Sequence, residues 1–202
     1  YYEYVDEEGK KQRGYLLDEL LDLTPVGSLS ANLVEQAVDN AIKLSYRKSA
    51  EDINRKSNVN MSHQRVWNTV QKIGEAIKDE EKHRVKRYQK RELKGEKECS
   101  ILYEEKDGLW LSIQGERRKK ELKMAKVYEG WQKKSPGSNE YKTVGTFYVA
   151  GYEDTEVFDN LVNSKIASIY DEEKIEKKIL NGDGAKWIDQ EAKMDANIVK
   201  QL

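Results

Sequence analysis

Apolar positions repeat every three to four residues from Leu33 to Ile73, and every second residue from Leu109 to Ile113. The first spacing belongs to helices and the second to strands, so a helical region followed by a sheet is expected. Leu33, Ala37, Ala41 and Leu44 form one helical stripe behind Ser30, a residue suited to capping a first turn. Ser49 is expected to start a second, shorter helix, with Asp52 three residues on and Ile53 facing inward. Ser57-Asn58-Val59-Asn60 reads as a turn, after which Ser62 caps a third helix striped by Val66, Val70 and Ile73. Ahead of the helices, Tyr1, Tyr2, Tyr4 and Val5 favour a strand, Asp6–Gly9 a turn and Gly14–Leu17 a second strand, and Thr24–Ser28 breaks the chain.

His63, Gln64, Arg65, Asn68, Gln71 and Lys72 fall largely off the apolar stripe of the third helix. Two helices, a short polar turn and a third helix bearing Gln, Arg and Asn make a helix-turn-helix pattern, in which the third helix enters the major groove. Arg pairs bidentately with guanine, and Asn or Gln with adenine. An ordinary three-helix bundle with a polar outer face carries the same pattern, so both readings stay open on the residues alone.

Beyond Cys99 the period is that of strands. Ser100–Tyr103 and Asp107–Gln114 read as one β region in which Asp107 opens a strand, and Gly115–Lys120 as a turn with a basic tip. Glu121–Trp131 and Tyr141–Val149 come next as strands, separated by the turn at Ser135–Asn139. Residues 153–170 form an amphipathic helix through Phe158, Leu161, Val162, Ile166 and Ile169. Ile175–Leu180 is a short buried strand, and a final helix begins near Ala185. An antiparallel meander feeding a strand-helix-strand crossover, whose strands lie parallel, opens an RNase H-like sheet. The fold class expected is therefore α+β or α/β, a helix-turn-helix domain followed by the first half of an RNase H-like mixed sheet. The expected organisation is a β-like segment at 1–23, the helix-turn-helix at 24–77, a charged linker at 78–98 and the catalytic core, cut short, at 99–202.

Charge changes this picture more than composition does. The 202 residues carry 36 Lys+Arg and 37 Asp+Glu, for a net charge of −1, with a mean hydropathy of −0.92. One cysteine excludes a disulfide framework and a cysteine-based zinc site, and two histidines exclude a histidine-rich metal cluster. No apolar run approaches the roughly 18 residues of a membrane span, and no basic-then-apolar signal opens the chain. A reducing cytoplasmic setting fits these features. The neutral sum conceals a basic middle: Ile42–Lys97 holds 16 basic and 8 acidic residues, a local balance of +8. That asymmetry points to a polyanion-binding segment; a solvated helix face is the plainer alternative.

Asp107 and Asp183 are the candidate chemistry. In an RNase H-like sheet their strands are neighbours, so both carboxylates meet at one edge. Gly182 and Gly184 flank Asp183 and are expected to leave room for a metal and a phosphate. Two hard carboxylates hold Mg²⁺ or Mn²⁺ through oxygen, and two such ions about 4 Å apart clamp the oxygens of an in-line phosphoryl transfer. Asp-Gly and Gly-Asp-Gly are also frequent turns, which remains the alternative for each residue.

The segments YEEKDGLWLSIQGE (103–116), AKVYEGW (125–131), VAGYED (149–154) and LNGDGAKWI (180–188) resemble the catalytic blocks of a Listeria-type bacterial insertion-sequence transposase family with a mutator-like DDE core. YLLDELLDL (15–23), LSYRKSAEDI (44–53) and MSHQRVWNTVQKIG (61–74) are similar to its helix-turn-helix region. The resemblance implies that Asp107 and Asp183 are the first two catalytic acids and hold two Mg²⁺ or Mn²⁺ ions, with Glu105 in a supporting role. It implies Gln64, Arg65 and Asn68 on DNA bases, Lys72, Lys86 and Arg87 on phosphates, and His63 among the DNA-binding residues, with double-stranded DNA (element terminal repeats and target) as partner. It further implies a bacterial, nucleoid-associated protein without a membrane anchor, acting as a homo-oligomer on DNA. Lys106 departs from the family by standing where a small residue is usual, which is expected to alter the charge of the site. The third acid, a Glu on a later helix, has no counterpart before Leu202; Asp189, Glu191 and Asp195 come too soon after Asp183. With Tyr1 in place of Met, the chain reads as a fragment. The function expected is DDE transposition, with a catalytically inactive DNA-binding remnant or repressor as the alternative. A nuclease of the same fold and a plain interaction protein are more distant rivals.

Overall fold

The computed structural model describes residues 2–14, 29–188 and 198–201. It divides into two compact units, Tyr1–Asp79 and Glu80–Leu202. The division falls inside the 78–98 segment expected as a linker.

The first unit opens with a hairpin of β1 (Tyr2–Val5) and β2 (Lys11–Gly14). The return strand starts earlier than expected. Asp6 accepts from the Glu8 and Lys10 N–H groups at 3.1 and 2.8 Å, closing the turn tightly and bringing Lys11 opposite Val5. Most of the expected second strand and the Thr24–Ser28 break lie outside the described residues, as does YLLDELLDL.

Three helices come next: α1 (Ala31–Lys43), α2 (Tyr46–Ser57) and α3 (His63–Gln89). Ser30 caps α1 by accepting from Leu33 N–H, and Ser62 caps α3 by accepting from Arg65 N–H at 3.2 Å, both as expected. The cap of α2 is a correction. Ser45 accepts from Lys48 N–H, so the helix begins one turn before Ser49, and the buried Ser49 hydroxyl donates to the Ser45 carbonyl. Leu44 is corrected too. It is the extended cap residue that ends α1, so it leaves the apolar stripe and stands exposed.

Between α2 and α3 the Asn54 amide clamps Met61, donating to its carbonyl at 2.9 Å and accepting from its N–H at 2.6 Å. Leu29, Val34, Ala37, Ala50, Ile53, Met61 and Val66 make one core, with Val70 and Ile73 packed at its edge. Burial of Ile53 and Val66, both fully enclosed, contributes about 1.5–3 kcal/mol each. The charged stretch after residue 77 is helical as far as Gln89, as the continuation of α3. Within the second unit Arg84 donates to the Ser164 hydroxyl, and Val85 packs on the core.

The second unit is a mixed five-stranded sheet with one described helix across a face. Its strands are β3 (Ile101–Leu111), β4 (Lys120–Tyr128), β7 (Phe147–Gly151), β8 (Lys177–Gly182) and β9 (Ile198–Gln201), with α4 (Thr155–Ile169) between β7 and β8. A separate hairpin of β5 (Gly130–Lys133) and β6 (Tyr141–Val144) interrupts the path from β4 to β7. What reads as one strand over Tyr141–Val149 is thus two strands in different sheets. The order in space is β7-β4-β3-β8-β9. β3, β4 and β7 pair antiparallel, while β8 and β9 join parallel. Phe158, Leu161, Val162 and Ile166 of α4 are buried, as their spacing predicts, against Leu102, Ala125, Val127 and Val149. A helical turn begins at 186–188, close to the start expected for a last helix, and residues 189–197 lie outside the described residues.

Candidate functional site

The parallel pairing of β3 with β8 runs in register from Ile101↔Lys177 to Lys106↔Gly182. Asp107 and Asp183 are the next residue along each of the two paired strands, so the backbone brings the two positions to one end of the β3–β8 pairing. Asp107 does not open a strand, as its sequence context suggests, but lies inside β3, opposite Met124 of β4. In the charged run Glu104-Glu105-Lys106, Glu105 finds partners across the sheet on β4, Lys106 finds Asp159 on α4, and Glu104 pairs with Lys106 along the same strand. Asp107 Oδ1 accepts from Gly108 N–H at 2.7 Å, and Asp183 Oδ1 from Ala185 N–H at 3.0 Å. Both residues are exposed. The chain near residue 183 is not open in the way its glycines imply. A Cβ on Gly182 would lie 2.9 Å from two carbons of the fully buried Ile188 and 3.4 Å from the Lys106 carbonyl, while Gly184 turns at φ +84°. Gly182 is therefore a packing requirement that seats Asp183, and only the Gly184 side is open.

Lys106 faces away from Asp107. Its fully enclosed ammonium lies 2.7 Å from Asp159 of α4 and 3.2 Å from Glu104. The expected change of site charge is corrected: this cation is neutralised on the helix side of the sheet, because strand alternation sends residues 106 and 107 to opposite faces. Glu105 shares the Asp107 face but is engaged elsewhere. It accepts from the Tyr128 hydroxyl at 2.8 Å and pairs with Lys126 at 3.1 Å. Burial alone would raise its pKa; the Tyr128 and Lys126 hydrogen bonds outweigh that and hold it below the ordinary 4.5. Burial, followed by the Glu105 carboxylate, pushes the Tyr128 hydroxyl well above 10. Asp189, Glu191 and Asp195 lie outside the described residues. Among the described residues no group of three His, Cys, Asp or Glu side chains converges. The pair itself suits a hard divalent cation through its carboxylate oxygens.

On α3, His63, Gln64, Arg65, Asn68 and Lys72 are all exposed, and Val66 and Thr69 are buried beneath them. Arg65, Asn68 and Lys72 fall at helical spacing on one side, and Gln64 donates to the Asn68 side chain at 3.2 Å. Lys86 and Arg87 are both exposed and belong to the second unit. Sequence reasoning missed Glu104, Asp159 and the Glu121 carboxylate that accepts from Trp187 at 3.2 Å. The alternation Leu102, Glu104, Lys106 was the available signal: two opposite charges on an otherwise apolar face.

A family model described as "Uncharacterised protein family (UPF0236)" matches residues 1–199. Three UPF0236 proteins of Caldanaerobacter subterraneus subsp. tengcongensis are 30%, 30% and 31% identical to this chain over 174 residues. The matched part covers 86% of this chain and 34%, 32% and 34% of theirs. The chain spans about a third of the length of the curated relatives it matches. Among the described residues no helix is long and apolar enough to cross a membrane.

Proposed function

The chain belongs to the uncharacterised protein family UPF0236, and we propose that it comprises the DNA-binding unit and the first part of the catalytic core of a DDE-type transposase. One observation carries this reading: the β3–β8 register, which makes Asp107 and Asp183 neighbours at a strand end. The strand order β7-β4-β3-β8-β9, with three antiparallel strands, a helical crossover and two parallel strands, supports an RNase H-like sheet. Three capped helices with a polar turn before the third support a helix-turn-helix. The name of one relative joins eleven designations under one protein, as repeated copies of a mobile element would produce.

In this reading Asp107 and Asp183 hold Mg²⁺ or Mn²⁺ and transfer no proton themselves. When bound, the ions supply Lewis acidity at the scissile phosphate and ease deprotonation of the attacking water. Gln64, Arg65 and Asn68 read bases of the terminal repeat, with His63 beside them on the DNA; Lys72, Lys86 and Arg87 take phosphates. The whole protein would cut at element ends and pass the freed 3′-hydroxyl to target DNA. A strand-transfer assay on the full-length protein with Mn²⁺ tests this. Wild type joins labelled ends to target, and Asp183→Ala loses about a hundredfold or more while still binding the repeat. Sequence-specific binding without any Mn²⁺-dependent cleavage would sink the catalytic reading and favour a binding-only repressor. Unchanged repeat affinity after Arg65→Ala with Asn68→Ala would remove the base-reading role, since each good contact contributes about 1–3 kcal/mol.

A further inference from the structure

β8 flanks β3 only as far as Lys106, and β7 flanks β4 only from Lys123 to Val127. Leu109–Leu111 pair with Lys120–Leu122 alone, so among the described residues a two-stranded ribbon with no third strand runs on past Asp107. Its turn closes with Glu116 N–H donating to the Ile113 carbonyl. From Gln114 to Lys120 the ribbon carries four basic residues and one acidic residue. Lys120 pairs with Glu116 at 2.6 Å, and Arg117, Arg118 and Lys119 stand exposed. Trp110 is 60% exposed and Leu109 48%.

An isolated two-stranded ribbon is marginal in water, and an uncovered indole adds cost unless a partner uses it. A basic tip on an exposed ribbon is the composition that grips a nucleic-acid backbone, with cations on phosphates. The surplus positive charge at the tip selects a polyanion. We propose that this ribbon holds the DNA strand entering the carboxylate pair, with Arg117, Arg118 and Lys119 on successive phosphates. The proposal rests on reading Asp107 and Asp183 as a DNA-processing site. Leu111 is four residues beyond Asp107, about 13 Å along the strand, which matches roughly four base steps of 3.4 Å.

The test uses the whole chain and a labelled single-stranded thymidine oligonucleotide, which presents no major groove to α3. Arg117→Ala/Arg118→Ala/Lys119→Ala should weaken binding about tenfold or more near 0.1 M salt. It should also flatten the slope of log affinity against log salt by about 2, at roughly 0.7 per lost phosphate contact. Unchanged affinity and salt slope in the triple variant would overturn the proposal. So would loss of binding to phosphatidylserine vesicles with oligonucleotide binding intact, which would assign the ribbon to a lipid surface. Asp107→Asn/Asp183→Asn should keep oligonucleotide affinity and lose Mn²⁺ binding. Wild type failing to bind Mn²⁺ would therefore break the carboxylate reading alone, while a silent triple variant breaks the ribbon alone.

Discussion

On the face of the five-stranded sheet that meets α4, Leu102, Glu104 and Lys106 are buried, as are Val127, Phe158 and Val162. On the other face Tyr103 and Glu105 are half-buried, and Asp107 is exposed. The two sets alternate along one strand, yet their charges meet opposite fates. Lys106 is sealed between two carboxylates, while Asp107 stands in solvent beside a second acid. The helix face converts charge into internal pairing and so into structure. The open face pairs Glu105 with Lys126 and Tyr128 but leaves Asp107 exposed to solvent.

The largest effect expected from that contrast is on the helix face. Lys106→Ala removes the ammonium partner of the buried Glu104 and of Asp159, and should cost about 3–5 kcal/mol in urea unfolding. A loss below about 1 kcal/mol would mean that the buried pairing matters little. Gly182→Ala comes next: its Cβ would press on Ile188 at 2.9 Å, so about 1–3 kcal/mol should be lost to overpacking. Mn²⁺ affinity should fall with it as Asp183 shifts. Asp107→Asn and Asp183→Asn should change stability by no more than about 0.5 kcal/mol, as exposed substitutions do, while abolishing Mn²⁺ binding by calorimetry. A large stability loss in either would show that these acids serve the fold.

The smallest effect is the acid response of Glu105. Its folded pKa lies below 4.5, so the stability it contributes is complete above that value and fades as pH falls through the folded pKa. Tyr128→Phe removes one of the hydrogen bonds that depress the pKa. It should flatten the loss of urea midpoint between about pH 5 and pH 2, and an unchanged acid limb would contradict the assignment.

Stripes such as Val66, Val70, Ile73 and Phe158, Leu161, Val162, Ile166 are legible in the residues alone, because period decides which side of a helix meets a core. The caps at Ser30 and Ser62 are readable for the same local reason. Ser45 is not, since Ser49 offers an equally good capping side chain and only the packing of Ala50 and Ile53 sets where α2 starts. The candidate carboxylates are legible as residues, but their strand context is not. Glu-Glu-Lys-Asp looks like a polar turn until Asp159, Lys126 and Tyr128 arrive from other elements to pair with it. The hairpin of β5 and β6 is hidden for a similar reason. The residues from Tyr141 to Val149 favour strand throughout, and nothing local marks the change of sheet after Val144.

What the residues determined unaided is therefore what depends on near neighbours: helix faces, two of the three helix caps, strand-forming stretches and the basic run from Ile42 to Lys97. What needed the tertiary structure is what depends on distant partners. Register is the clearest case, since the β3–β8 pairing joins residues 76 positions apart and alone makes Asp107 and Asp183 adjacent. The fate of each charge depends on it, because a side chain's surroundings are set by which strand and helix come to lie against it.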